Sequence, residues 1–201
     1  MKKILLLVLL LLVVSGGLFA YRILNPKQKD LDVVISDQDI SSLEQKLSVE
    51  IPDIEKINAN EETITITEYA YQEVELNNAE ASLLMNLALS SVIPCSDVQA
   101  VCHDGSIEVS AMIKLSEQMI ETAGIPAGML PEKIAGFLNM DVQDNRISVS
   151  GISLNGIPVP QQLKDQLNQS VSDVLTDHGF EEVSVYEGRM VVKGNLPSRF
   201  E

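Results

Sequence analysis

Between Lys3 and Arg22 the chain runs for eighteen residues without a charge, ILLLVLLLLVVSGGLFAY. At 1.5 Å per residue a helix of that length reaches about 27 Å, close to one bilayer core. Residues 1–24 therefore read as a transmembrane anchor or a signal segment, with Lys2 and Lys3 ahead of an apolar centre from Ile4 to Val14. Both readings carry the remainder across a membrane. Ser15 and Gly17 are small enough for cleavage, yet the apolar run continues through Leu18, Phe19 and Tyr21, as a spanning helix does. No cysteine lies near residue 20, which excludes a lipid-modified cysteine. The expected location is the cell membrane, single-pass, with the domain on the extracytoplasmic side; secretion after signal cleavage is the alternative.

Five of the fourteen Lys and Arg flank this run, leaving nine against all twenty-nine Asp and Glu, a net charge of −20 beyond residue 29. Such a field repels nucleic acid and anionic lipid, which bind through Lys and Arg, and nucleic acid is excluded as a partner. The acidic surface keeps the domain soluble or meets a cationic partner. Roughly 170 residues after the anchor suffice for one domain. With no Trp, four Phe and four Tyr, its core must be aliphatic, and a carbohydrate site, which wants aromatic platforms, is disfavoured.

Asn25 to Asp30 is polar, carries Pro26, and reads as a linker over 25–30 before a domain over 31–201. LDVVI at 31–35 suggests a strand, and Ser36 with Asp39 three residues on suggests an N-cap for a helix carrying Ile40, Leu43 and Leu47. A polar bend over 50–62 precedes a strand from about 62 to 76, with a break near Tyr69. Asn77 or Asn78 can cap a second helix whose Leu83, Leu84, Leu87 and Ala88 form one stripe. Asp104 and Gly105 between two extended runs mark a hairpin, and Ile107, Val109, Ala111, Ile113 and Leu115 alternate with polar residues after it. Residues 116–140 place Met119, Ile120, Ile125, Met129, Leu130 and Phe137 among Gly and Pro and read as the most adaptable apolar stretch of the domain. After a turn at Asp144 and Asn145, RISVSGISL resumes strand alternation. A third helix with Leu163, Leu167, Val171, Val174 and Leu175 on one stripe closes at His178 and Gly179, and a second hairpin turns at Glu187 and Gly188. The fold class is α+β, an antiparallel sheet packed on amphipathic helices and preceded by one N-terminal transmembrane helix.

Cys95 and Cys102 are close in sequence, and in an oxidising compartment they are expected to form a disulfide. A metal site using Cys95, Cys102, His103 and Asp104 matches no defensible zinc spacing. His178 at a helix end suits the negative end of the dipole. Asp141 and Asp144 with Asn145 lack the loop length and terminal Glu of an EF-hand and read as a solvated turn. There is no Gly-x-Ser-x-Gly elbow, His-Glu-x-x-His, P-loop or Gly-x-Gly-x-x-Gly. No catalytic residue, metal or cofactor is expected, and the chain is read as no enzyme.

The anchor, the helices at Ser36–Leu47 and Asn77–Leu89, the Asp-Gly hairpin, ISVSGISLNGIPVP before a long helix and the final VSVYEGRMVVKGNLP follow one another in an order that resembles the membrane-anchored YpmS-like proteins. More distantly the order resembles the LmeA-like phospholipid-binding proteins, whose folds resemble the tubular lipid-binding (TULIP) superfamily. The match covers most of residues 31–197. The resemblance implies a strongly curved sheet around a long helix, with an apolar groove for a phospholipid or fatty acyl ligand. The candidate wall is Ile113, Met129, Phe137, Ile147, Val149, Leu167 and Val171. A lipid-binding and lipid-carrying domain is thus the first expectation, and a non-enzymatic envelope adaptor or structural protein with a filled core is its competitor. The full-length chain should need detergent for extraction; a mature chain that starts near Leu18 and is released by carbonate would sink the anchor reading.

Overall fold

A computed structural model describes residues 25–59, 64–91, 94–115, 131–159 and 180–201, and six positions between 161 and 169. Helix α1 (Asp37–Leu47) begins with a capping box: Ser36 accepts from the Asp39 N–H, and the Asp39 carboxylate accepts from the Ser36 N–H. Its Leu43 and Leu47 are fully buried, and the helix stops at Ser48 in the left-handed region, φ 56°. The expected polar bend contains a short helix, α2 (Ile54–Asn58), started by Asp53, whose carboxylate accepts from the N–H groups of Glu55 and Lys56. Strand β1 (Ile66–Asn77) runs directly into α3 (Asn78–Ser90), with Asn77 as N-cap. Its register slips on both sides of Glu68, next to the break expected at Tyr69.

Seven further strands follow: β2 (Cys95–His103), β3 (Ser106–Lys114), β4 (Lys133–Gln143), β5 (Arg146–Leu154), β6 (Ile157–Pro158), β7 (Phe180–Tyr186) and β8 (Arg189–Phe200). They pair antiparallel in two sheets, one ordered β1-β8-β7 and one ordered β2-β3-β4-β5-β6. The α+β class with antiparallel sheets therefore holds. Both expected hairpins form at Asp104–Gly105 and Glu187–Gly188, and Asp144–Asn145 turns with both residues at positive φ, 51° and 61°. Two expectations fail. Residues 31–35 are irregular and include Asp32 at φ 57°, and residues 133–140 belong to a central strand, β4, hydrogen-bonded on both sides. The first error follows from reading apolar alternation without the face it must bury; the second from glycine and methionine that a sheet tolerates where a neighbour covers them. At Gly136 an added Cβ would lie 3.0 Å from Ile113 Cδ1. Among the described residues no helix is long and apolar enough to cross a membrane, and the uncharged run lies outside them.

One core joins the two sheets and the helices. Ile107, Val109 and Ala111 of β3 pair with Met140, Leu138 and Gly136 on one face, and Val74, Leu76, Val183, Val185, Met190 and Val192 fill it from the three-stranded sheet. The sheets are locked where two hairpin turns meet. Gly105 donates its N–H to Val185 O (3.1 Å), Gly188 to Cys102 O (2.9 Å), and Glu187 to the Asp104 carboxylate (3.0 Å).

Glu80 is the most deeply buried charge among the described residues, 1 % exposed. Its carboxylate accepts from Lys46 Nζ (2.6 Å), Ser42 Oγ (2.6 Å) and the Asn77 N–H (2.8 Å), so α1, α3 and the end of β1 converge on it. Burial pushes its pKa up, but the hydrogen bonds from Lys46, Ser42 and Asn77 and the Lys46 charge outweigh burial and hold it below the ordinary 4.5. A lowered folded pKa stabilises the protein above the ordinary value and loses that contribution as pH falls through the lowered one. Glu80→Gln should cost about 2 kcal/mol in urea melts at neutral pH, less than a wholly buried pair because Lys46 keeps water contact. The wild-type and variant curves should converge in acid below the ordinary carboxylate range; a constant gap across pH would refute the ionic role.

Candidate functional site

The residues read as a linker do not stand free at their far end. Gln28 Nε2 donates to Asp97 O (2.6 Å), Ser110 Oγ donates to Lys29 O (2.7 Å), and the Leu31 N–H donates to Gln99 Oε1 (2.6 Å). The Lys29 ammonium pairs with Glu108 at 2.8 Å and stands 4.2 Å from the centre of the Phe137 ring. These contacts make residues 28–31 a strap across the face of β2, β3 and β4 that points away from the core. Ser110 lies on that face and is nonetheless fully buried, because the strap covers it.

Beside the strap is a half-open groove of about 230 Å³, lined by Lys27, Gln28, Lys29, Ala135, Gly136, Phe137, Ser153 and Gly156. One wall is the β5–β6 turn, where Asn155 Oδ1 accepts from the Ala135 N–H and the Asn155 N–H donates to Ala135 O, both at 2.7 Å. Asn155 (φ 50°) and Gly156 (φ 72°) make this two-residue turn. The groove is smaller than the roughly 300–1,000 Å³ of pockets that enclose a drug-sized ligand.

The residues expected to form one lipid wall are divided. Ile113, Ile147 and Val149 face the core side, opposite Ile134, Val142 and Met140 respectively, and Val149 is 2 % exposed. Phe137 pairs with Ser110 and Ser153 on the opposite face, under Lys29. These four residues line no common surface. Period 2 decides this: Phe137 is odd-numbered in β4, whereas the core face there carries Leu138 and Met140. Met129, Leu167 and Val171 lie outside the described residues, as does His178. Helical residues at 161–169 approach β5 through Asn168, whose amide both accepts from the Val149 N–H and donates to Val149 O.

The disulfide is also corrected. Cys95 and Cys102 are both free and both in β2, where seven extended residues put them roughly 20 Å apart, far beyond the bridging range of about 4.4–6.8 Å between Cα atoms. Nearness in sequence suggested pairing; the extended backbone prevents it. Burial pushes both thiols up, against a Ser90 hydrogen bond at Cys95 and reinforced by the Glu187 charge at Cys102, which reaches about 11. Asp141 accepts from Ser150 Oγ (2.8 Å), and among the described residues no three His, Cys, Asp or Glu side chains gather as a metal site.

The groove cations were read as linker charges, and no local pattern identifies their role, because Lys29 meets Glu108 and Phe137 only through the fold. Glu80 did have a signal, the Asn-x-x-Glu spacing from Asn77. No family model matches the chain, no curated protein matches it, and no solved structure matches it. The resemblance to YpmS-like and LmeA-like proteins rests on the order of sequence elements alone. Alkylation should find both thiols unreactive at neutral pH in the native protein and both labelled after unfolding without reductant; a mass short by two hydrogens, unlabelled until reduction, would establish the bridge instead.

Proposed function

We propose that the chain is a non-enzymatic adaptor of the cell envelope, anchored by its uncharged run and presenting the open face of the three-stranded sheet to a cationic protein partner. The observation that carries this reading is the placement of Tyr69, Tyr71 and Tyr186. They are 42, 55 and 45 % exposed, on the face of β1 and β7 turned from the core. The chain has four Tyr in all, and the fourth, Tyr21, belongs to the uncharged run. Tyrosine joins a large apolar body to a polar tip with little entropy to lose, and it is enriched where proteins meet. Around these rings Glu68, Glu73, Glu75, Glu181 and Glu182 outnumber Arg189, Lys193 and Arg199. Each cation is already paired with a carboxylate: Arg189 with Glu75, Lys193 with Glu73, Arg199 with Glu68. The Tyr71 hydroxyl donates to Glu181, and that bond is the first cause raising its pKa, ahead of burial and the charges of Glu181 and Glu73. The surplus acid favours a basic partner.

Among the described residues Ile107, Val149 and Leu196 are 1–2 % exposed, which favours a filled core over an open cleft at those positions. A photo-crosslinking residue at Tyr71 of the full chain, in native membranes, should give one discrete protein adduct that a residue at Asp144 does not. Glu181→Lys with Glu182→Lys should weaken that adduct about tenfold. No adduct at Tyr71, together with one phospholipid or fatty acid retained per chain in mass spectra, would replace the adaptor with the lipid-carrying reading.

A further inference from the structure

We infer that the groove beside the strap holds the phosphate of an anionic membrane lipid, with Lys27 and Lys133 as its cationic partners. The inference rests on the anchor reading and adds a second, electrostatic contact with the same bilayer. Cations are scarce in this acidic chain, yet Lys27, Lys114 and Lys133 stand on the face that the strap crosses. Lys27 and Lys29 line the groove. Lys133 is two residues from Ala135 of the groove wall and on its side of β4, about 7 Å along the strand. Lys114 stands directly opposite Lys133 in the register.

A cross-strand pair of like charges destabilises a sheet unless an anion lies between or beside them. Within the chain the compensation is partial: Glu132 reaches Lys114 at 3.9 Å, and no carboxylate pairs with Lys133 among the described residues. An external anion completes it. Gln28 and Ser153 offer polar side chains to the same groove, while Phe137 and Ala135 give an apolar wall for the carbons next to a phosphate. The domain's net negative field does not forbid this, because charges beyond about 8 Å are screened at physiological salt. Position supplies the occupant. Lys27 follows Arg22 by five residues, at most about 18 Å of extended chain, so the groove is held within reach of the head groups.

The test uses the full chain in nanodiscs of phosphatidylcholine alone or mixed equally with phosphatidylglycerol, and reads hydrogen exchange in residues 131–140. Phosphatidylglycerol should slow exchange about tenfold, and Lys27→Gln with Lys133→Gln, both at sites reached by solvent, should abolish the difference without lowering the melting temperature. Exchange indifferent to lipid charge in disc-bound protein would overturn the site and leave the anchor standing. Protein released from the discs by carbonate would instead overturn the anchor. Equal protection by millimolar inorganic phosphate in phosphatidylcholine discs, with nothing added by phosphatidylglycerol, would assign the groove to free phosphate and overturn the lipid.

Discussion

The N-terminal end of α3 organises the described fold because three of its side chains leave the helix to satisfy groups elsewhere. Asn77 caps it, Glu80 draws in Lys46 and Ser42 of α1, Asn78 accepts from the Cys102 N–H at 2.9 Å, and Ser82 accepts from the Ala100 N–H at 2.7 Å. Lys46 also donates to Glu75 O, which ties the end of β1 to the same point. A carboxylate taken out of water costs several kcal/mol unless its lone pairs are filled, so Glu80 is tolerated only when α1, β1 and α3 are all in place. That requirement makes their assembly mutually dependent. It also fixes where β2 runs, since the helix that holds Glu80 presents Asn78 and Ser82 to that strand.

The same device covers β2, an edge of the five-stranded sheet, and the part of β5 that β6 leaves unpaired. At β2 the outward N–H groups of Ala100 and Cys102 meet α3, and the Asp97 N–H meets Asn58 Oδ1 at 3.3 Å. At β5 the amide of Asn168 takes both backbone groups of Val149. An uncovered strand edge is a template for another chain, and side-chain amides remove it without the cost of a further strand. The strap does for one face what these residues do for the edges: it covers Ser110 and Phe137, which a solvated sheet would leave to water.

Features set by neighbours in sequence were legible, and features set by distant neighbours were not. Ser36 with Asp39, Asn77, Asp104–Gly105 and Glu187–Gly188 are local, because a cap or a two-residue turn contains its own partners. The aliphatic alternation of Ile107, Val109 and Ala111 was legible for the same reason. Phe137 was misplaced because composition assigned it to an adaptable stretch, whereas the register of β4 against β3 assigns its face. LDVVI has the composition of a strand, but Gln99 and Ser110 hold the strap beside it by side-chain hydrogen bonds and leave no ladder for it to join. The groove itself joins residues 27–29 with 135–156, a separation that no window on the sequence spans.

On the proposed reading, strap and anchor together limit what the adaptor can do. A stalk of free residues lets a domain wander by the root of its length, whereas residues 28–31 are docked on the sheet. The strap lies on the five-stranded sheet, and the tyrosine face belongs to the other sheet. Segregation of charge agrees with this division. Lys27, Lys114 and Lys133 sit on the strapped face, while Glu181 and Glu182 stand beside Tyr71 with no cation paired to them among the described residues. A uniform acidic surface would make every approach to the membrane equally unfavourable. In the proposed arrangement, cations on the strapped sheet would lower that barrier for one orientation and leave the acidic tyrosine face to a partner.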